Sequence, residues 1–103
     1  MSVFLHVTLD VHAAGLGRFL EAMETTAVPF LERQGWKLAG AFIQRTGRLG
    51  TVIDLWELED FQHYDRALQA LMADDSYPAL KRVLEETVIN ETVVFADKAS
   101  YMH

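Results

Sequence analysis

The sequence contains no cysteine. That excludes disulfides, thiolate nucleophiles and thiolate metal sites, and it suits a reducing compartment. Basic residues are few: Lys plus Arg total 9 against 15 Asp plus Glu, a formal net charge of −6. No basic run exists to displace the counterions of a phosphate backbone, so nucleic acid is not an expected partner. Long apolar runs are also missing. Met1 to His6 shows no basic stretch leading into one, so neither a signal peptide nor a membrane span is expected, and the expected location is cytoplasmic. His6, His12 and His63 lack the spacing of metal ligands, and no metal is expected. Gly15-Leu16-Gly17 falls short of a nucleotide-binding loop.

Half of the 103 residues are hydrophobic, enough for one small core and no second domain. Residues 1–96 are expected to form a single domain, with 97–103 as a C-terminal tail. Val3 to Val11 alternates, with Val3, Leu5, Val7 and Leu9 opposite Phe4, His6, Thr8 and Asp10, so a strand is expected. From Leu16 the period becomes helical through Phe19, Leu20, Met23, Ala27, Phe30 and Leu31. Pro29 predicts a kink or short break, and Gly35 a stop.

Trp36 to Arg45 predicts a second strand with Gly40 as a bulge or a close approach. The Gly-rich turn Thr46 to Gly50 joins it to a third strand, Thr51 to Glu57. Glu59-Asp60 opens a second helix whose apolar stripe includes Phe61, Tyr64, Ala67, Leu68 and Leu71. Asp74-Asp75-Ser76 breaks that helix, Ser76 caps a short third one with Pro78 in its first turn, and Thr87 to Phe95 is the last strand. The order β-α-β-β-α-β predicts an α+β ferredoxin-like fold with a four-stranded antiparallel sheet. The first strand is apolar on both faces. Helices cover one face, and a second copy of the chain is the simplest cover for the other, so a homodimer is expected; the alternative is a monomer whose third helix and tail cover that face.

Leu38-Ala39-Gly40-Ala41-Phe42, followed by Thr46 to Trp56 with its Gly-containing hairpin and Leu55-Trp56 ending, resembles the NIPSNAP-like family of the dimeric α/β-barrel superfamily. The resemblance continues through Arg66-Ala67-Leu68, Asp75-Ser76-Tyr77 with Leu80, and Ile89-Asn90-Glu91. Two departures stand out. Asp54 occupies the place where the family often has His before Leu-Trp. Val3, Leu5 and Val7 replace the Glu, Arg and Tyr that the family's first strand often carries. The superfamily's monooxygenases, isomerases and cyclases imply a cofactor-independent enzyme acting on a hydrophobic or aromatic small molecule. Haem-degrading members use an Asn, Trp and His set that Trp56 and His63 match only loosely, so no cofactor is expected.

The residues themselves suggest His6 as a general base and Asp54 as its orienting carboxylate, if register and face bring them together. Against this, Asp54 could be satisfied by Arg45 or Arg66, and His6 could be a core histidine bonded to backbone. Trp56, Tyr64, Phe42 and Tyr77 are candidate walls of an apolar pocket. Arg45 or Arg66 is a candidate anion or oxyanion contact. His63, one step off the helical stripe, is expected at the edge or exposed. The competing function is a non-catalytic binding or assembly dimer.

Overall fold

The computed structural model describes residues 2–102. Four strands, β1 (Val3–Val11), β2 (Lys37–Ile43), β3 (Thr51–Leu58) and β4 (Val88–Ala96), form one sheet in the order β2-β3-β1-β4. Every neighbouring pair is antiparallel. Between β1 and β2 run α1 (Leu16–Ala22), a π-helical turn (Met23–Ala27) and α2 (Val28–Arg33). Between β3 and β4 run α3 (Phe61–Met72) and α4 (Tyr77–Thr87). This is the ferredoxin-like α+β fold.

The expected break at Pro29 takes a different form. Helical backbone continues from Leu16 to Arg33, and the change is a wide turn immediately before the proline. Proline lacks an amide hydrogen and crowds the preceding turn, and a π-turn relieves both within a continuous helix. The helix stops at Gly35, whose φ of +95° suits glycine. There the Gly35 and Trp36 amides donate to the carbonyls of Glu32 and Leu31, closing the orphan carbonyls of the last turn.

The last helix is not short. α4 continues through Thr87, whose hydroxyl donates to the Val83 carbonyl, and β4 begins only at Val88. Ser76 stands at its N-cap without a side-chain cap bond; its hydroxyl is turned to Asp74 instead. The expected bulge in β2 is present as a register shift between Leu38 and Gly40.

Register decides which side chains meet. On β1, Leu5, Val7, Leu9 and Val11 are buried against the helices, while His6 on the opposite face is exposed. On β3, Val52, Asp54, Trp56 and Leu58 are buried on the helix face, and Thr51 at the strand's start is buried as well. These residues pack with Phe19, Leu31, Trp36 and Ala67 as the main core. The face away from the helices is uncovered, and there Phe42 (56%) and Val94 (48%) are exposed.

Candidate functional site

β3 supplies the centre of the site. Its alternation aims Val52, Asp54 and Trp56 at the helices, and so places one carboxylate in an otherwise apolar row. Asp54 is only 5% exposed. Among the described residues it has neither a hydrogen-bond partner nor an ion-pair partner. Burial alone raises its carboxyl from 3.8 to about 6, because a charged carboxylate loses part of its hydration there.

Two compartments meet at this carboxyl. The smaller, about 160 Å³, lies beneath α1, α3 and α4 and has Val7, Trp36, Trp56 and Tyr64 among its walls. The larger, about 390 Å³, opens between the α1–α2 run and β2, with Val28, Leu38, Ala41 and Val52 among its walls. Phe19, Met23 and Asp54 line both. Met23 begins the π-turn, so the wide turn forms part of the partition between them.

Aromatic rings stiffen the inner wall. Trp36 stacks on Tyr64 with ring centroids 5.7 Å apart and meets Trp56 edge-on at 5.4 Å. Phe95 closes on Tyr64 edge-on at 5.1 Å. Such contacts add to area burial and hold the rings in one arrangement. The Tyr64 hydroxyl is raised above its ordinary range, first by burial and then by the charges of Glu91 and Asp65. It therefore stays protonated near neutral pH and can donate a hydrogen bond.

The expected His6–Asp54 pair does not form within the chain. His6 lies opposite Leu55 and Val94, whereas Asp54 lies opposite Val7 and Ala41. Side chains alternate along a strand, so the histidine sits on the open face and the aspartate on the helix face. Neither structural alternative holds either: His6 is exposed rather than core, and Asp54 pairs with no arginine. Arg45 is exposed at the end of β2. Arg66 is exposed on α3, 3.8 Å from Glu59. Neither lines a compartment, so neither is placed to contact an anion there.

Trp56 and Tyr64 are walls as expected. Phe42 only touches the outer compartment, and its ring lies against Gly40, where an added Cβ would come within 2.7 Å of it. Tyr77 packs instead against a separate cluster of Ala27, Phe30, Leu71 and Leu80. The residues missed in sequence are Phe19 and Met23, whose helical periodicity identified them as core without showing that they divide a cavity.

His63 is buried, at 3% exposure, rather than at the edge. Its Nδ1 accepts from the Glu59 amide at 3.0 Å, and its Nε2 donates to the Gln34 carbonyl at 2.7 Å. Both ring nitrogens are engaged by backbone, which leaves none to ligate haem iron. Among the described residues no group of His, Asp and Glu is arranged to hold a metal, and no helix is long and apolar enough to cross a membrane.

The sequence model of the NIPSNAP family matches residues 6–96. No curated protein matches. Among solved structures, a NIPSNAP domain protein from Burkholderia xenovorans is 21% identical, with a TM-score of 0.81 over 100% of this chain and 99% of its own. A NIPSNAP family protein from Agrobacterium tumefaciens superposes with a TM-score of 0.87 at 13% identity, covering 98% and 96% of the two chains. A cofactor-independent oxygenase from Streptomyces nogalater shares the fold at a TM-score of 0.68 and 17% identity, with 98% of each chain covered.

Proposed function

The chain belongs to the NIPSNAP family, and we propose that it binds a small apolar molecule between helices and sheet and acts on it as a cofactor-independent enzyme, with Asp54 as the proton-transferring group. The observation that carries this is a buried, unpartnered carboxyl at the junction of two apolar compartments. A group that titrates near pH 6 is poised both to give and to take a proton close to neutrality. Burying it without a partner costs stability, a cost that a proton-transfer role explains. Trp36, Trp56 and Tyr64 supply flat apolar walls suited to an aromatic or polycyclic substrate. The reaction class is oxygenation, isomerisation or cyclisation started by proton removal, and likeness in fold to the Streptomyces nogalater oxygenase supports keeping oxygenation among the three.

The test begins with native mass spectrometry of the purified protein to recover a bound molecule, followed by turnover of that molecule. Asp54→Asn is expected to retain binding and to lose about 10²–10⁴-fold in kcat. Binding and turnover both unchanged would reject the catalytic role; binding by the wild type without turnover would favour the non-catalytic alternative.

We also propose that a second copy of this chain covers the open sheet face. His6 stands there between Leu55 and Val94, its neighbours on the two adjacent strands. Phe42, exposed at the sheet's edge strand, extends this apolar surface. Exposed apolar patches of that kind are usually covered by a partner. Sedimentation equilibrium is expected to show a dimer for the wild type and a monomer for Leu55→Lys combined with Val94→Lys. A monomeric wild type would sink the proposal.

A further inference from the structure

The charged groups around the two compartments are all of one sign. Glu24, exposed on the π-turn, and Glu32, exposed on α2, line the outer compartment. Glu91, exposed on β4, lines the inner one. Asp54 lies between them, itself 5% exposed and without a partner among the described residues. Among the described residues no Lys, Arg or His lines either compartment. From α3 the polar group reaching the inner compartment is Tyr64, which can donate a hydrogen bond but carries no positive charge.

We infer that the site discriminates against anionic ligands, taking up an uncharged apolar molecule in preference to anionic analogues of the same shape. This rests on the compartments being a binding site, as proposed above, and it adds the charge class of the ligand. An anion entering from the helix–β2 side passes Glu24 and Glu32 and then meets Asp54. Each like-charge approach opposes it, most strongly inside, where water is scarce. None of the described residues within offers a positive counter-charge to replace the anion's lost hydration. A neutral ring system loses little hydration and gains the aromatic walls.

The inference also fixes the sign of a pH effect. A neutral ligand that displaces water from Asp54 makes the ionised carboxyl less favourable, so the protonated form binds it better. Glu24 and Glu32 on the first helical run, Tyr64 on α3 and Glu91 on β4 are the other titratable groups facing these compartments. All three glutamates add negative charge, which reinforces the same sign.

The experiment compares two fluorescent probes that differ by one anionic group: N-phenylnaphthylamine, which is uncharged, and anilinonaphthalene sulfonate. Their Kd ratio is measured on the wild type and on a Glu24→Gln, Glu32→Gln, Glu91→Gln triple variant. Reading the change in ratio between proteins cancels the two probes' different solubility in water. The triple variant is expected to narrow the ratio about tenfold in favour of the sulfonate. On the wild type the neutral probe is expected to bind more weakly as pH rises through about 6, and that dependence is expected to disappear in Asp54→Asn.

A ratio unchanged by the triple variant would overturn the charge selection while leaving the cavity as a binding site. If neither probe binds the wild type, or if Ala41→Trp and Val28→Trp both fold and leave neutral-probe binding intact, the cavity reading fails together with the inference.

Discussion

Asp54→Asn is expected to raise the melting temperature at pH 8 by roughly 10 °C and to leave it nearly unchanged at pH 4. The folded protein holds the Asp54 proton more tightly than the unfolded chain does, since burial raises the carboxyl from 3.8 to about 6. Below the unfolded-state value the carboxyl is protonated in both states and carries no penalty. As pH rises from that value to about 6 the unfolded chain releases the proton while the folded protein still holds it, so stability falls across this interval and levels off above it. A shift of about two units corresponds to about 3 kcal/mol at most, and each kcal/mol moves the midpoint of a domain this size by roughly 4 °C or somewhat more. Asparagine keeps the shape and never ionises, so its advantage appears only where the aspartate is charged. The check is a pair of thermal melts at each pH. A variant less stable than wild type at pH 8, or an advantage independent of pH, would show that Asp54 is satisfied in the fold after all.

That outcome bears on function as well as stability. A carboxyl that weakens the fold at neutral pH and forms no bond within it is poorly explained as structure. The same substitution is therefore expected to separate the two properties, raising stability while lowering turnover. A structural aspartate would lose both together.

The succession of elements was legible because each left its own period in the sequence. β1 and β3 alternate, the α1–α2 run repeats at helical spacing, and Gly35 and Asp60 mark a stop and a start that the structure keeps. What could not be read was which face of β1 is inside. Leu5 and Val7 alternate with Phe4 and His6, so hydrophobicity alone chooses weakly between the faces. The choice is made by pairing, which sets Val7 against Asp54 and His6 against Leu55. A one-residue difference in that alignment reverses every side chain, and for this reason Asp54 was identifiable as a candidate while its supposed partner was not. The compartments were illegible for a related cause. Phe19 and Met23 stand one helical turn apart but far in sequence from Asp54, and only the crossing of the helical run over β3 makes them its neighbours.

His63 is the second case where a distant contact overrode a local pattern, and it carries the other large effect. The ring bonds two segments that also pack through Trp36 and Tyr64. Its Nδ1 receives the Glu59 amide at the start of α3, and its Nε2 donates to Gln34 where the first helical run ends. Asp60 fixes the same corner by accepting from the His63 amide at 2.7 Å. Gly35 leaves room for the ring, since a Cβ there would lie 3.3 Å from Nε2. His63→Ala removes both part-buried bonds and opens a cavity where the buried ring stood, a loss of about 3 kcal/mol. His63→Leu fills the space and removes only the bonds, so about 2 kcal/mol is expected for it. The difference between the two, measured by urea unfolding, separates bonding from packing. If His63→Leu were as stable as wild type, the bridge would contribute nothing, and α3 would be held in place by the packing of Trp36, Tyr64 and Ala67 alone.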